Sequence, residues 1–141
     1  MGQEGTSGEP GHLPVTVDGQ GDLFDAGCPT RHLLDRVGSK WTVMVVLLLA
    51  EADSVRFSAL RRQMAGVSQK MLSQTLRQLG SDGLVSRRVD GTVSPPAVHY
   101  ALTPLGSTLV PVLGALKQWA EDHMGEVDAS LRGPGSGTGG A

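Results

Sequence analysis

Gln69, Lys70, Ser73, Gln74 and Arg77 lie close together, and all five carry side chains that can hydrogen-bond a patterned polar surface. Gln presents a donor and an acceptor that match adenine, Lys and Arg suit guanine or phosphate, and Ser adapts to either. Leu72, Leu76 and Leu79 interleave with them at i, i+4 and i+7. In a helix that spacing puts the leucines on one buried side and the polar residues on the other. Ser68 precedes them as a good N-cap, and Asp82-Gly83 stops the pattern. A solvated helix face is built from the same residue types, so its meaning depends on its surroundings.

Further candidate chemistry is cationic. Arg87 and Arg88 sit in a β pattern, where they would hold phosphates without reading sequence; the alternative is a hairpin that only closes the core. Lys40, Arg56, Arg61 and Arg62 lie near predicted helix termini, where they could meet phosphate or serve as plain surface. Cys28, the sole cysteine, stands at a helix start beside Arg31 and His32, a setting that favours a thiolate. It is a candidate redox-sensing thiol, the alternative being a silent cap residue. His12, His32, His99 and His123 share no helical face with a carboxylate at metal-ligand spacing, and no Gly-rich phosphate loop follows a strand. Neither a metal, a cofactor nor an enzymatic activity is expected.

The elements that would position these groups follow closely on one another. Pro29 opens a helix with Leu33, Leu34 and Val37 on one stripe, ended by Gly38. Ser39 caps a second helix running to about Glu51. Phe57, Leu60 and Met64 mark a short third helix, and Ala65-Gly66-Val67 forms a tight connection to the helix over 68–81. Val85, Arg87 and Val89 and then Val98, Tyr100 and Leu102 alternate as two strands, joined by a long loop holding Asp90-Gly91 and Pro95-Pro96. Thr103-Pro104 opens the last helix, over about 104–124, in which Pro111 predicts a kink. A short helix, a tight turn, a second helix and a hairpin make a winged helix-turn-helix. The expected fold is therefore mostly α with a small β-hairpin.

The last helix has more apolar surface than one packing face needs. Leu109, Val112, Leu113, Leu116 and Trp119 form the expected interface with a second copy; the alternative packs both faces within one subunit. An acidic Gly-rich tail is expected over 1–21, the domain over 22–125 and a flexible tail over 126–141.

Charge is uneven although the net value is only −2. Residues 1–27 hold five acids and no base, 28–106 hold ten bases against five acids, and 107–141 hold two bases against four acids. The basic middle suits an anionic partner, as solvated surface charge also would. No apolar run reaches the roughly 18 to 20 residues that span a bilayer, and no basic-then-apolar leader opens the chain. Together with the single cysteine, this fits a reducing cytoplasm.

The chain from Cys28 to Trp119 resembles the HxlR-type winged-helix regulators, which are related to MarR-type proteins. The resemblance rests on Cys28-Pro29, Gly38-Ser39-Lys40-Trp41, Arg56-Phe57-Ser58-Ala59-Leu60, Val67-Ser68-Gln69-Lys70-Met71-Leu72, Asp82-Gly83-Leu84-Val85 and Tyr100-Ala101-Leu102-Thr103-Pro104-Leu105-Gly106. It implies a bacterial homodimer that binds imperfect palindromes in double-stranded DNA, with the 68–81 helix reading bases and the 84–102 hairpin as the wing. It also implies, through some relatives, an oxidant- or electrophile-responsive cysteine at Cys28. Two departures fall in the wing, at His99 and at Asp90–Ser94. The expected function is a sequence-specific transcription regulator, a repressor. The alternative is a winged-helix interaction module without specific DNA binding.

Overall fold

The computed structural model describes residues 23–132, which contain five helices and three strands. The helices are α1 (Pro29–Val37), α2 (Lys40–Leu49), α3 (Phe57–Gln63), α4 (Gln69–Ser81) and α5 (Pro104–Arg132). The strands are β1 (Val55–Arg56), β2 (Val85–Asp90) and β3 (Ala97–Leu102). The expected tail over 1–21 lies outside the described residues. The chain divides into two units, Met1–Val43 and Met44–Ala141.

In the first unit, Pro29 occupies the first turn of α1 and Gly38 closes its C-terminus by donating to the Leu34 carbonyl at 2.9 Å. Val37 is buried, whereas Leu33 and Leu34 stay substantially exposed. The expected apolar stripe of α1 is thus only partly covered. Ser39 caps α2 as expected, its Oγ accepting from the N–H groups of Trp41 at 3.1 Å and Thr42 at 3.4 Å.

The second unit holds the helix-turn-helix and the wing. Leu60 and Met64 of the α3 region and Leu72, Leu76 and Leu79 of α4 are buried, as their spacing requires. Gly66 makes the connection at a φ of 87°, in the left-handed region open to a residue without Cβ. Ser68 Oγ accepts from Met71 N–H at 3.0 Å, which satisfies a helix donor with no intrahelical partner. At the other end of α4, Gly83 takes a φ of 77°. Gly83 N–H bonds the Gly80 carbonyl at 3.1 Å and Leu84 N–H bonds that of Leu79 at 2.9 Å, a Schellman closure.

The wing is wider than the expected hairpin. Its antiparallel sheet has the order β1-β3-β2, with Val55 paired to Tyr100 and Arg56 to His99 on one side of β3. On the other side Val85 to Asp90 pair in register with Leu102 to Ala97. Two residues are too few to show an alternating pattern, and for that reason β1 is silent in the sequence. Helix α4 packs on β2, α3 on β1 and β3, and α5 on β3.

Thr103 joins these elements. Its Oγ1 donates to the Gly83 carbonyl at 2.6 Å and accepts from Gly106 N–H at 3.0 Å, while its own N–H bonds the Leu84 carbonyl at 3.1 Å. The end of α4 and the start of α5 are pinned together at this point. Helix α5 then runs through Pro111 to Arg132, past the expected end near 124. The expected tail is corrected accordingly: residues 126–132 are helical, supported by Arg132, which pairs with Asp128 and is the base in the last turn, and 133–141 lie outside the described residues.

Candidate nucleic-acid interface

The polar side of α4 is open. Ser68, Gln69, Lys70, Gln74 and Arg77 are exposed and Ser73 is half-buried, while Leu72, Thr75, Leu76 and Leu79 hold the opposite side in the core. Gln69 Oε1 accepts from Arg61 Nη1 at 3.5 Å across the turn, tying the start of α4 to α3. Lys70, Gln74 and Arg77, at i, i+4 and i+7, form the outermost row. A face of this width and polarity suits a major groove about 12 Å across.

The wing arginines do not act as one patch. Consecutive residues of a strand point to opposite faces, and the register separates them: Arg87 pairs with Tyr100 and Arg88 with His99. Arg87 lines a crevice against α4 together with Ser73, Arg77, Gly80 and Tyr100. Arg88 lies on the other face, where Arg56 and His99 are register partners across β1 and β3. Asp90 shares that face. Its Oδ1 accepts from Thr92 Oγ1 at 2.5 Å and from Thr92 N–H at 2.9 Å. Those bonds, the side-chain one foremost, and the nearby Arg88 and His99 charges hold the Asp90 carboxyl below its ordinary range. An ionised Asp90 offsets part of the wing's positive charge. The alternation therefore places the two wing arginines, both expected to meet phosphate, on opposite faces of the sheet.

Lys40 and Cys28 belong to the first unit. Lys40 opens α2, is exposed, and places Nζ 4.7 Å from the Trp41 ring centroid. Cys28 is the N-cap residue of α1, with its N–H bonded to the Asp25 carbonyl at 3.0 Å and its carbonyl accepting from His32 N–H at 3.1 Å. Only 2% of Cys28 is exposed. Its two neighbours on the helix turn to backbone: Arg31 Nη1 donates to the Phe24 carbonyl at 3.3 Å and His32 Nε2 to that of Ala26 at 2.9 Å. They order the loop that precedes α1.

Along α5, Val112, Leu116 and Trp119 are exposed and Leu109 is half-buried. Leu113 is 4% exposed and belongs to the subunit's own core, so its expected place in an interface is corrected. Helical geometry, at about 100° per residue, explains the difference. Leu105, Val112, Leu116 and Trp119 fall in one sector of roughly 60°, and Leu113 lies about 90° away from its centre. Trp119 stacks on His123 with ring centroids 4.7 Å apart, and Met124, Val127 and Leu131 extend the exposed apolar surface. The sequence pattern does not reveal these last three, because Gly125, Glu126 and Asp128 interrupt its apolar period.

Among the described residues no group of three His, Cys, Asp or Glu could hold a metal ion, and no helix is long and apolar enough to cross a membrane.

Comparison with known proteins agrees with this geometry. The family model for the HxlR-like helix-turn-helix matches residues 36–128. An uncharacterized HTH-type transcriptional regulator of Escherichia coli (strain K12), YtfH, is 44% identical over 108 residues, covering 77% of this chain and 84% of its own length. The solved structure of transcriptional regulator ytfH from Salmonella typhimurium superimposes with a TM-score of 0.73 at 42% identity, over 78% of this chain and 96% of that one. The redox regulator HypR in its reduced form matches with a TM-score of 0.64 at 34% identity, over 72% of this chain and 98% of its own.

Proposed function

This chain belongs to the HxlR-like helix-turn-helix family of transcription regulators, and from that premise we propose that it is a homodimeric, sequence-specific repressor of a palindromic operator. The observation that carries the reading is the open polar side of α4 above a leucine-packed core. Lys70 and Gln74 read base edges, Ser68, Gln69 and Ser73 support them, and Arg77 and Arg87 with Arg56, Lys40 and Arg88 contribute phosphate contacts. Two half-sites about 34 Å apart, or a multiple of that, suit a twofold protein. The exposed apolar sector of α5 supplies the pairing surface through Leu109, Val112, Leu116 and Trp119.

The test is binding to promoter DNA from the protein's own locus, followed by fluorescence anisotropy and gel shift against competitor duplex. Gln74→Ala is expected to relax discrimination at one base pair by about 1–3 kcal/mol and to leave non-specific affinity little changed. Arg87→Ala is expected to weaken operator and scrambled duplex alike and to reduce the salt slope by about 0.9 for each phosphate it leaves without a cation. Equal behaviour of the two variants would remove the division between reader and wing. A complex that competitor dissolves as readily as it dissolves non-specific binding would favour an interaction module instead.

Oxidant or electrophile sensing through Cys28 is the second part of the reading, favoured by its place at a helix start and by the likeness to a redox regulator. Because the residue is buried, reaction proceeds through opening of the loop at 23–28. Diamide or quinone treatment is expected to give an intersubunit disulfide or a mass adduct and to lower operator affinity, with Cys28→Ser insensitive. An unchanged band on non-reducing gels, unchanged thiol mass and unchanged affinity would remove the sensor role.

A further inference from the structure

Tyr100 stands in the central strand of the wing with its ring beside Phe57, centroids 6.4 Å apart. The residue is 9% exposed, yet its hydroxyl has no hydrogen-bond partner among the described residues. A buried phenol normally finds one, so an unused donor here calls for a ligand or solvent. Two crevices show where such a ligand would come from. One, of about 450 Å³, is lined by Ser73, Arg77 and Gly80 of α4 and by Arg87 and Tyr100 of the sheet. The other, of about 350 Å³, lies further along the same flank, between Gln69 and Ser73 on α4 and Ala97 and Tyr100 on β3. Ser73 and Tyr100 line both crevices.

The cross-strand pair Arg87–Tyr100 puts a guanidinium and the phenol on one face of the sheet, and Arg77 lines the crevice from the facing helix. At Gly80 an added Cβ would meet only the Val85 carbonyl, in ordinary contact at 3.8 Å. Two fixed cations, a hydroxyl from Ser73 and a phenolic donor converge on a space that contains no carboxylate. That set matches the non-bridging oxygens of a phosphoryl group.

We propose that a DNA backbone phosphate is held in this crevice between α4 and the wing, with Tyr100 as a neutral hydrogen-bond donor alongside Arg77 and Arg87. The inference rests on the DNA-binding reading above, because the crevice borders the flank of the helix assigned to the major groove. Duplex DNA, rather than free phosphate, is the source because the strand between a major-groove helix and an adjacent wing must cross this gap. Tyr100 then sets position and affinity and carries no sequence preference.

Tyr100→Phe removes one oxygen and keeps the ring, so thermal unfolding should match the native protein. Operator and scrambled duplex are both expected to bind roughly tenfold more weakly per half-site, with an unchanged salt slope because no charge is removed. The deciding measurement replaces single operator phosphates with neutral methylphosphonates. At one phosphate per half-site the replacement should weaken the native protein and have little further effect on Tyr100→Phe. Native-like affinity of Tyr100→Phe, or penalties that add independently at every phosphate, would overturn the proposal and leave the regulator reading intact. Inorganic phosphate, titrated at constant ionic strength, separates the sources. Competition that vanishes in Tyr100→Phe without methylphosphonate coupling would assign the crevice to a free anion and overturn the DNA assignment. A native protein that binds no duplex would sink both readings together.

Discussion

Val112→Glu combined with Leu116→Glu is expected to yield a folded monomer whose operator affinity is lower by about 10²–10⁴. Both side chains lie outside the subunit core, Val112 at 60% exposure and Leu116 at 53%, and Trp119 beside them is 55% exposed. Carboxylates at these positions cost the isolated subunit little. In a twofold interface each substitution occurs twice, and every carboxylate must leave water for an apolar surface without a cation to pair with. Sedimentation should show monomers at concentrations where the native protein is dimeric, and the concentration dependence of its melting temperature should disappear. Operator affinity falls because the second half-site is no longer bound at the high effective concentration that a linked copy provides. Two results would defeat the idea: a variant that stays dimeric, or a native protein that is already monomeric. Far-ultraviolet circular dichroism that departs from the native spectrum would instead indicate that this part of α5 supports the fold itself.

The legible part of the molecule is the part where side-chain period and end signals agree. For α4, Leu72, Leu76 and Leu79 set the buried side, Ser68 the start and Gly83 the end, and all five behave as their chemistry requires. Thr103-Pro104 marks the start of α5 for the same reason. Illegible features arise where a partner distant in sequence decides. Strand β1 exists because Val55 and Arg56 meet β3, forty-odd residues away. Leu113 is as apolar as Val112 and Leu116, and only its side of the helix distinguishes it. The alternation that separates Arg87 from Arg88 is present in the strand period, but a basic dipeptide invites reading as a unit. Tyr100 shows the limit most clearly. Its place in the strand is periodic, whereas the missing partner of its hydroxyl is a property of everything packed around it.

Gly106→Ala is expected to be the most destabilising of the single substitutions considered, because the added atom meets backbone. A Cβ at Gly106 would lie 2.0 Å from the Leu84 carbonyl oxygen and 3.0 Å from its carbon, with Leu102 Cδ2 at 3.2 Å. A flexible side chain could rotate away. Leu84 cannot, because its carbonyl accepts from Thr103 N–H and its N–H closes the end of α4. Relief therefore requires the start of α5 to move off the end of α4. The expected loss is about 3 kcal/mol or more, a fall in melting temperature on the order of 15 °C for a domain of this size. The same substitution further along the same helix supplies the control. Gly114 and Gly125 have nothing within 4 Å of an added Cβ, and helical spacing puts both roughly opposite the exposed apolar sector. Gly114→Ala and Gly125→Ala are each expected to raise stability by about 0.5–1 kcal/mol and to leave dimerisation and operator binding unchanged. Opposite signs for one chemical change on one helix isolate the contact with Leu84 as the cause. If Gly106→Ala melted like the native protein, α5 could not approach Leu84 this closely, and the pinned joint between α4 and α5 would be wrong.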